Sequence, residues 1–406
     1  MKLSNIPALR AFRSTNYTLY FSGRAFSQFG TAMQRTAVVW VVYAITNSEF
    51  YLGLTIFAEQ FPSFVFSVLG GVYADRYNKY TIVKITQILG TLQAGLLALY
   101  IFWGYEAVWV ILILSALLGI INAFDVPARQ ALIHDIVEDA SDLQSAISLN
   151  SAMANTAKLL GPVLSGLLIH WTNAAICFFI NSLSFGAVYI SVLLMKVPEW
   201  QPPQIKRKAI EELKDGISYL KKSPKILLVI LTVASMGLCL LPYISLIPVF
   251  AKEVFKGNAA TYGYISGFIG FGAVSGTMLL ASLDKKTSLR KFLLISSFIL
   301  AVSLVFFSQI TSFYIAMLFA IFLGLGQVAQ FAVSMLIIQT ETASEMRGRV
   351  ISILLMAFYG MGPIGSLLVG SISEYIGAPN MLFIMGIIGI GLTFLFYYLL
   401  KKRKDI

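Results

Sequence analysis

Four ionisable side chains lie inside runs of sequence apolar enough to cross a bilayer: Arg24, Arg35, Glu59 and Lys158. A charge at the centre of a membrane helix costs about 2.5–3.5 kcal/mol on an insertion scale, so each is expected to face water or an opposite charge. Arg24, Gln28, Thr31 and Arg35 recur at intervals of 4, 3 and 4 residues, which puts them on one helical face. Such a face suits the lining of a solute pathway; the alternative is a pair of arginines reaching for the interface. Glu59 is the one acid deep in a span, at about the depth of Arg35, and the two are expected to pair. A carboxyl beside a guanidinium exchanges a proton when a conformational change alters their separation; a static ion pair is the alternative. Ser148, Ser151, Asn155 and Lys158 make a second stripe, spaced 3, 4 and 3. Lys158 is placed either to attract an anionic solute or to bond helix carbonyls beside Gly161 and Pro162. Gln327, Gln330 and Ser334 repeat the theme later in the chain. Tyr243 stands between Pro242 and Pro248, and prolines there bend a helix.

Other chemistries find no residues. The cysteines, Cys177 and Cys239, lie in apolar runs and read as small core side chains. With His134 and His170 far apart, no metal-binding set is expected. There is no GxxxxGK[ST] phosphate loop and no nucleophile with a base. No enzyme activity and no cofactor are expected.

The elements that must position these residues are membrane helices. The chain has 406 residues, 58% hydrophobic and 12% charged, where a soluble protein would carry roughly 25% charged residues. Twelve spans are expected, at 17–45, 50–72, 81–103, 107–128, 143–169, 173–195, 225–250, 260–283, 289–308, 312–338, 348–374 and 380–400. The fold class is all-α. Met1 to Asn16 is polar and basic and reads as no cleavable signal. Lys and Arg fix the expected orientation. With the N-terminus cytoplasmic, all 30 fall on the cytoplasmic side except Lys252, Lys256 and the intrahelical Arg24, Arg35 and Lys158. Both termini are then cytoplasmic in an inner membrane. The distribution also accounts for the net charge of +11 without nucleic acid.

The longest hydrophilic stretch, 196–224, divides an N-terminal six-helix half (1–195) from a C-terminal one (225–406). Within it Ile210, Leu213, Ile217 and Leu220 share a helical face, which predicts a short amphipathic helix on the cytoplasmic membrane surface or a plain connector. The halves echo each other about 200 residues apart. Gly161-Pro162 matches Gly362-Pro363, and Ala74-Asp75-Arg76 matches Leu283-Asp284-Lys285. Glycines 263, 267, 272 and 276 read as close helix packing.

The stretch GVYADRYNK, residues 71–79, resembles the loop 2–3 signature of the major facilitator superfamily, with Gly71, Asp75, Arg76 and Lys79 at the signature positions. The resemblance implies two pseudo-symmetric six-helix halves with substrate held between them near the midplane, and alternating access. It also implies a cytoplasmic gate at these residues. There Gly71 is expected to allow close backbone approach, Asp75 to sit at a helix N-terminus, and Arg76 to pair with Asp125. The blocks NAFDVPARQALIHDIV (122–137), AISLNSAMANTAKLLGPVLSGLL (146–168) and EMRGRVIS (345–352) are similar to the secretion-effector branch, which includes enterobactin exporters and macrolide efflux pumps. KLLGPVLSG, with Gly161, Pro162 and Gly166, resembles the helix-5 kink of exporters in the superfamily and lacks their fuller glycine string.

Together these imply a monomeric, proton-coupled exporter of an amphipathic small molecule, with protons, solute and lipid as partners. Arg24, Arg35 and Lys158 against Glu59 lean towards an anionic, siderophore-like solute. The candidate cavity residues are Arg24, Gln28, Thr31, Ser151, Asn155, Lys158, Tyr243, Gln327 and Gln330. A multidrug or macrolide pump, a non-transporting receptor with a transporter fold and a lipid mover remain as alternatives.

Overall fold

The computed structural model describes residues 7–196, 209–282 and 288–402, and all regular structure among them is helical. A short 3-10 turn, Pro7–Arg13, precedes α1 (Thr15–Thr46), α2 (Glu49–Arg76), α3 (Lys79–Phe102), α4 (Val108–Ile136), α5 (Leu143–Trp171) and α6 (Ala174–Leu194). Then come α7 (Ala209–Lys222), α8 (Pro224–Cys239), α9 (Tyr243–Val249), α10 (Ala259–Ala281), α11 (Leu289–Gln309), α12 (Phe313–Glu341), α13 (Ser344–Ile376) and α14 (Ala378–Lys402). By length and composition, 11 helical segments among the described residues can cross a membrane, with Pro224–Val254 counting as one. The 32-residue α1 is long enough as well but carries the polar face that holds Arg24 and Arg35. This is an integral membrane protein.

The seventh expected span is broken. A turn at Leu240–Pro242 separates α8 from α9, and Phe250–Val254 forms a π-helical turn. Pro242 lacks an N–H for the ladder, so the helix restarts after it. Asn258 then caps α10 by accepting from Ala260 N and Thr261 N, which satisfies orphan donors of the first turn.

The chain divides into two compact units, Met1–Val41 with Ala58–Lys206, and Val42–Phe57 with Arg207–Ile406. The hairpin between α1 and α2 therefore packs in the second unit, whereas the sequence reading assigned it to the N-terminal half. Both units pack helices the same way. Lipid offers no hydrophobic drive for helices to associate, so small residues that admit close approach carry the packing. In the first unit Gly70 lies on the backbone of Ala123 in α4, and Gly119 of α4 lies on the backbone of Glu59. In the second, Gly272 of α10 meets Ile321 of α12, and Gly324 meets Ile269. α3 packs on α4 and α6, as α11 packs on α12 and α14.

The linker helix α7 does not offer its inner side to lipid. Leu220 is buried in a cluster with Ile226 of α8 and Val350 and Leu354 of α13. Asp215 pairs with Arg349 at 3.1 Å. The side chains of Ile210 and Leu213, and the Leu283-Asp284-Lys285 echo, lie outside the described residues.

Candidate functional site

In the first unit Arg35 Nε lies 2.6 Å from Glu59 Oε1. The backbone of Glu59 is pressed on Gly119 of α4, which fixes the position of α2 at this residue. The arginine side chain is 55% exposed and that of Glu59 13%. The guanidinium thus keeps donors open to a further ligand. Lys158 of α5 is exposed and near enough to Arg35 for the two charges to repel. Ser151 and Asn155 are exposed on the same stripe, and Ser151 bonds its own helix at Ile147 O, 2.9 Å.

The α1 face is divided. Gln28 and Thr31 are half-buried, with Thr31 Oγ1 3.5 Å from Asn181 Oδ1. Arg24 is 7% exposed and donates to Ser27 Oγ at 3.3 Å. It is packed inside the bundle, neither open to a pathway nor reaching for the interface. In α5, Pro162 lies within the helix and Gly161 allows Ala32 of α1 to approach; a Cβ on Gly161 would stand 2.5 Å from that of Ala32. Gly166 is buried. In the second unit Tyr243 is fully buried and its hydroxyl donates to Gln327 Oε1 at 2.9 Å. Gln330 is 4% exposed, and its Nε2 has no partner among the described residues.

Three expectations at the α2–α3 turn need correction. Arg76 does not pair with Asp125. Asp125 is buried, accepts from Thr86 Oγ1 and Gln87 Nε2 at 2.8 Å each, and pairs with Arg129 Nε at 2.5 Å. The i,i+4 spacing on α4 brings Arg129 over Asp125, whereas Arg76 is exposed at the end of α2. The close approach belongs to Gly70 instead of Gly71: a Cβ on Gly70 would lie 1.9 Å from Ala123 O, and one on Gly71 would meet nothing within 4 Å. Asp75 is exposed, and no described contact ties it to a helix N-terminus. Lys79 bridges to Asp135 at 2.8 Å, linking the start of α3 to the end of α4. The second unit repeats this bridge. Arg290 at the start of α11 pairs with Glu341 at the end of α12. The sequence reading missed Arg129, Asp135, Arg290 and Glu341; the shared offset of the two bridges, a little over 200 residues, was the available signal.

Gln34, Gln93 and Asn181 were missed too. Asn181 Nδ2 donates to Gln34 Oε1 at 2.8 Å, and Gln34 Nε2 to Gln93 Oε1 at 3.1 Å. These buried amides join α1, α3 and α6. Among the described residues there is no metal-binding cluster.

The sequence profile of transmembrane secretion effectors matches residues 6–404. The chain belongs to that family. It is 28% identical to the staphyloferrin A transporter of Staphylococcus aureus, over 95% of this chain and 97% of that one. It is 20% identical to macrolide efflux protein A of Streptococcus pyogenes, over 91% and 92%. Among solved structures, an inward-facing, unoccupied bacterial homologue of the human lysosomal transporter Spinster superposes with a TM-score of 0.77. It covers 96% of this chain and 98% of its own at 13% identity. The fold is that of the major facilitator transporters, and the family makes this chain a secondary transporter of small molecules rather than an enzyme.

Proposed function

We propose that this transporter exports an anionic, siderophore-like small molecule across the cytoplasmic membrane in exchange for protons. The observation that carries the reading is the exposed Arg35, paired with the carboxylate of Glu59 and within electrostatic range of Lys158. Two neighbouring cations with one acid favour an anion, and a guanidinium fork holds a carboxylate or a pair of phenolate-type oxygens in two-point contact. Glu59 is the group in this set that can take up and release a proton, and its contact with Arg35 links that proton to the solute. The likeness to the staphyloferrin A transporter along nearly the whole chain supports this reading. A macrolide substrate is the second reading, supported by the likeness to macrolide efflux protein A. In this account Asp75, Arg76 and Lys79 serve the cytoplasmic gate through the Lys79–Asp135 bridge.

The test uses everted membrane vesicles with a pH-sensitive dye, a preset proton gradient, and a panel of siderophores, macrolides and lipophilic cations. Proton efflux on adding siderophores, abolished in Glu59→Gln, is the expected result. A response to macrolides or cations alone overturns the substrate class. A siderophore response that survives Glu59→Gln removes Glu59 from coupling.

A further inference from the structure

α10 and α12 cross where glycines let their backbones touch, Gly272 on Ile321 and Gly324 on Ile269. Between that crossing and the helix starts at Ala259 and Phe313, a groove of about 500 Å³ lies between the two helices. Tyr264 and Phe268, four residues apart on one face of α10, form one wall. Tyr314 and Leu318, four apart on α12, form the other, and the buried Met317 is the floor. Phe313 and Ile321 mark the two ends. The helical rise makes that span about 12 Å, most of one leaflet's half of a hydrocarbon core roughly 30 Å thick.

The lining carries no charged side chain, which suits hydrocarbon rather than a water-filled pathway. Both helices are long and apolar enough to cross a membrane, and Tyr264, Phe268, Tyr314 and Leu318 are between 40% and 85% exposed on them. Tyrosines gather at the membrane–water boundary, ring in hydrocarbon and hydroxyl at the headgroups. The rim of the groove also carries a cation. Phe255 packs edge-on against Phe313, ring centres 5.9 Å apart. The next residue, Lys256, takes a left-handed conformation (φ 50°) in a turn that Gly257 N closes onto Ala251 O at 2.8 Å. Its side chain is 78% exposed, and its described ion pair, to Glu253, is 3.9 Å long. Lys252, the other cation of this turn, donates to Asn47. Lys256 is therefore the ammonium free to meet a phosphate at the rim.

We propose that this groove is a lipid site, holding one acyl chain of an anionic phospholipid whose headgroup sits at Lys256. In the orientation expected from the basic loops the lipid belongs to the extracytoplasmic leaflet. An acyl chain gains no hydrophobic free energy on leaving bulk lipid for such a groove. Selectivity comes from the fit of the chain between the two aromatic walls and from the charge at the rim. The bound chain touches both helices on one side of their crossing and braces α10 against α12.

Native mass spectrometry of the purified full chain, mixed with equal amounts of phosphatidylglycerol and phosphatidylethanolamine, reads the retained lipid without any transport substrate. The expected result is one phosphatidylglycerol kept after the other lipids are stripped. Lys256→Gln lowers that retention about fivefold, the worth of one lysine at an anionic surface. Leu318→Trp fills the groove and abolishes it, and because Leu318 is exposed the fold is not at stake. Leu92→Trp, at an exposed position on α3, leaves retention unchanged. No retained lipid, equal retention of the two lipids, or retention in Leu318→Trp equal to that of the unsubstituted protein overturns the site. So does a second copy of the chain that is bound in place of lipid and lost in Leu318→Trp.

Discussion

Asp125→Asn is the substitution whose effect can be worked most closely from the structure. Asp125 has a side chain 3% exposed and three polar partners: Thr86, Gln87 and Arg129. Asparagine keeps one oxygen for Thr86 and Gln87. Its amide then points N–H groups at the Arg129 guanidinium, which is itself only 12% exposed. Breaking a buried pair from one side costs about 3–5 kcal/mol, because the remaining charge has no counter-ion. With two of three contacts kept, the expected loss is at the lower end, about 3 kcal/mol, or roughly a hundredfold in the unfolding equilibrium. Removing the stranded charge should restore stability. Asp125→Asn/Arg129→Met is expected to recover about half the loss, a coupling of at least about 1.5 kcal/mol. Unfolding by SDS in mixed micelles, followed through the fluorescence of the five tryptophans, gives these differences. A single variant within about 0.5 kcal/mol of the unsubstituted protein, or a double variant less stable than Asp125→Asn, would refute the reasoning.

Gly70→Ala drives a methyl into the Ala123 carbonyl and is expected to lower stability by about 1–3 kcal/mol, while Gly71→Ala, in open space, gains up to about 1 kcal/mol of helix propensity; the same unfolding assay separates them. Tyr243→Phe removes the bond to the Gln327 oxygen and should cost about 0.5–1.5 kcal/mol. Lys158→Gln should raise the half-saturating concentration of an anionic solute in vesicle transport several-fold and leave that of a neutral solute unchanged.

The membrane helices were legible because each needs a long apolar run, and the Arg35–Glu59 contact because two charges at one depth in hydrocarbon have few other partners. The neighbourhood of Asp125 was misread for a local reason. A conspicuous loop arginine, Arg76, drew attention from Arg129, one turn along the same helix. Gly70 and Gly71 are adjacent, and only helix phase, set by the packing of α2 on α4, decides which one meets a backbone. Glu49 and Glu374 gave no signal at all. At span ends they read as solvated charges, and only packing across 324 and 329 residues of sequence brings Glu374 to Phe50 N and Glu49 to Ala378 N. The break at Leu240–Pro242 was half legible: the prolines announced a bend, and the π turn at Phe250–Val254 has no comparable marker.

The measurement that bears most directly on the account is solute flux in liposomes containing only this protein, loaded with a polycarboxylate or catecholate siderophore and given an imposed pH gradient. The account predicts siderophore movement that depends on the gradient, reverses direction when the gradient is reversed, and is lost in Glu59→Gln. Flux that ignores the gradient, or a cationic drug moving in place of the siderophore, would contradict it.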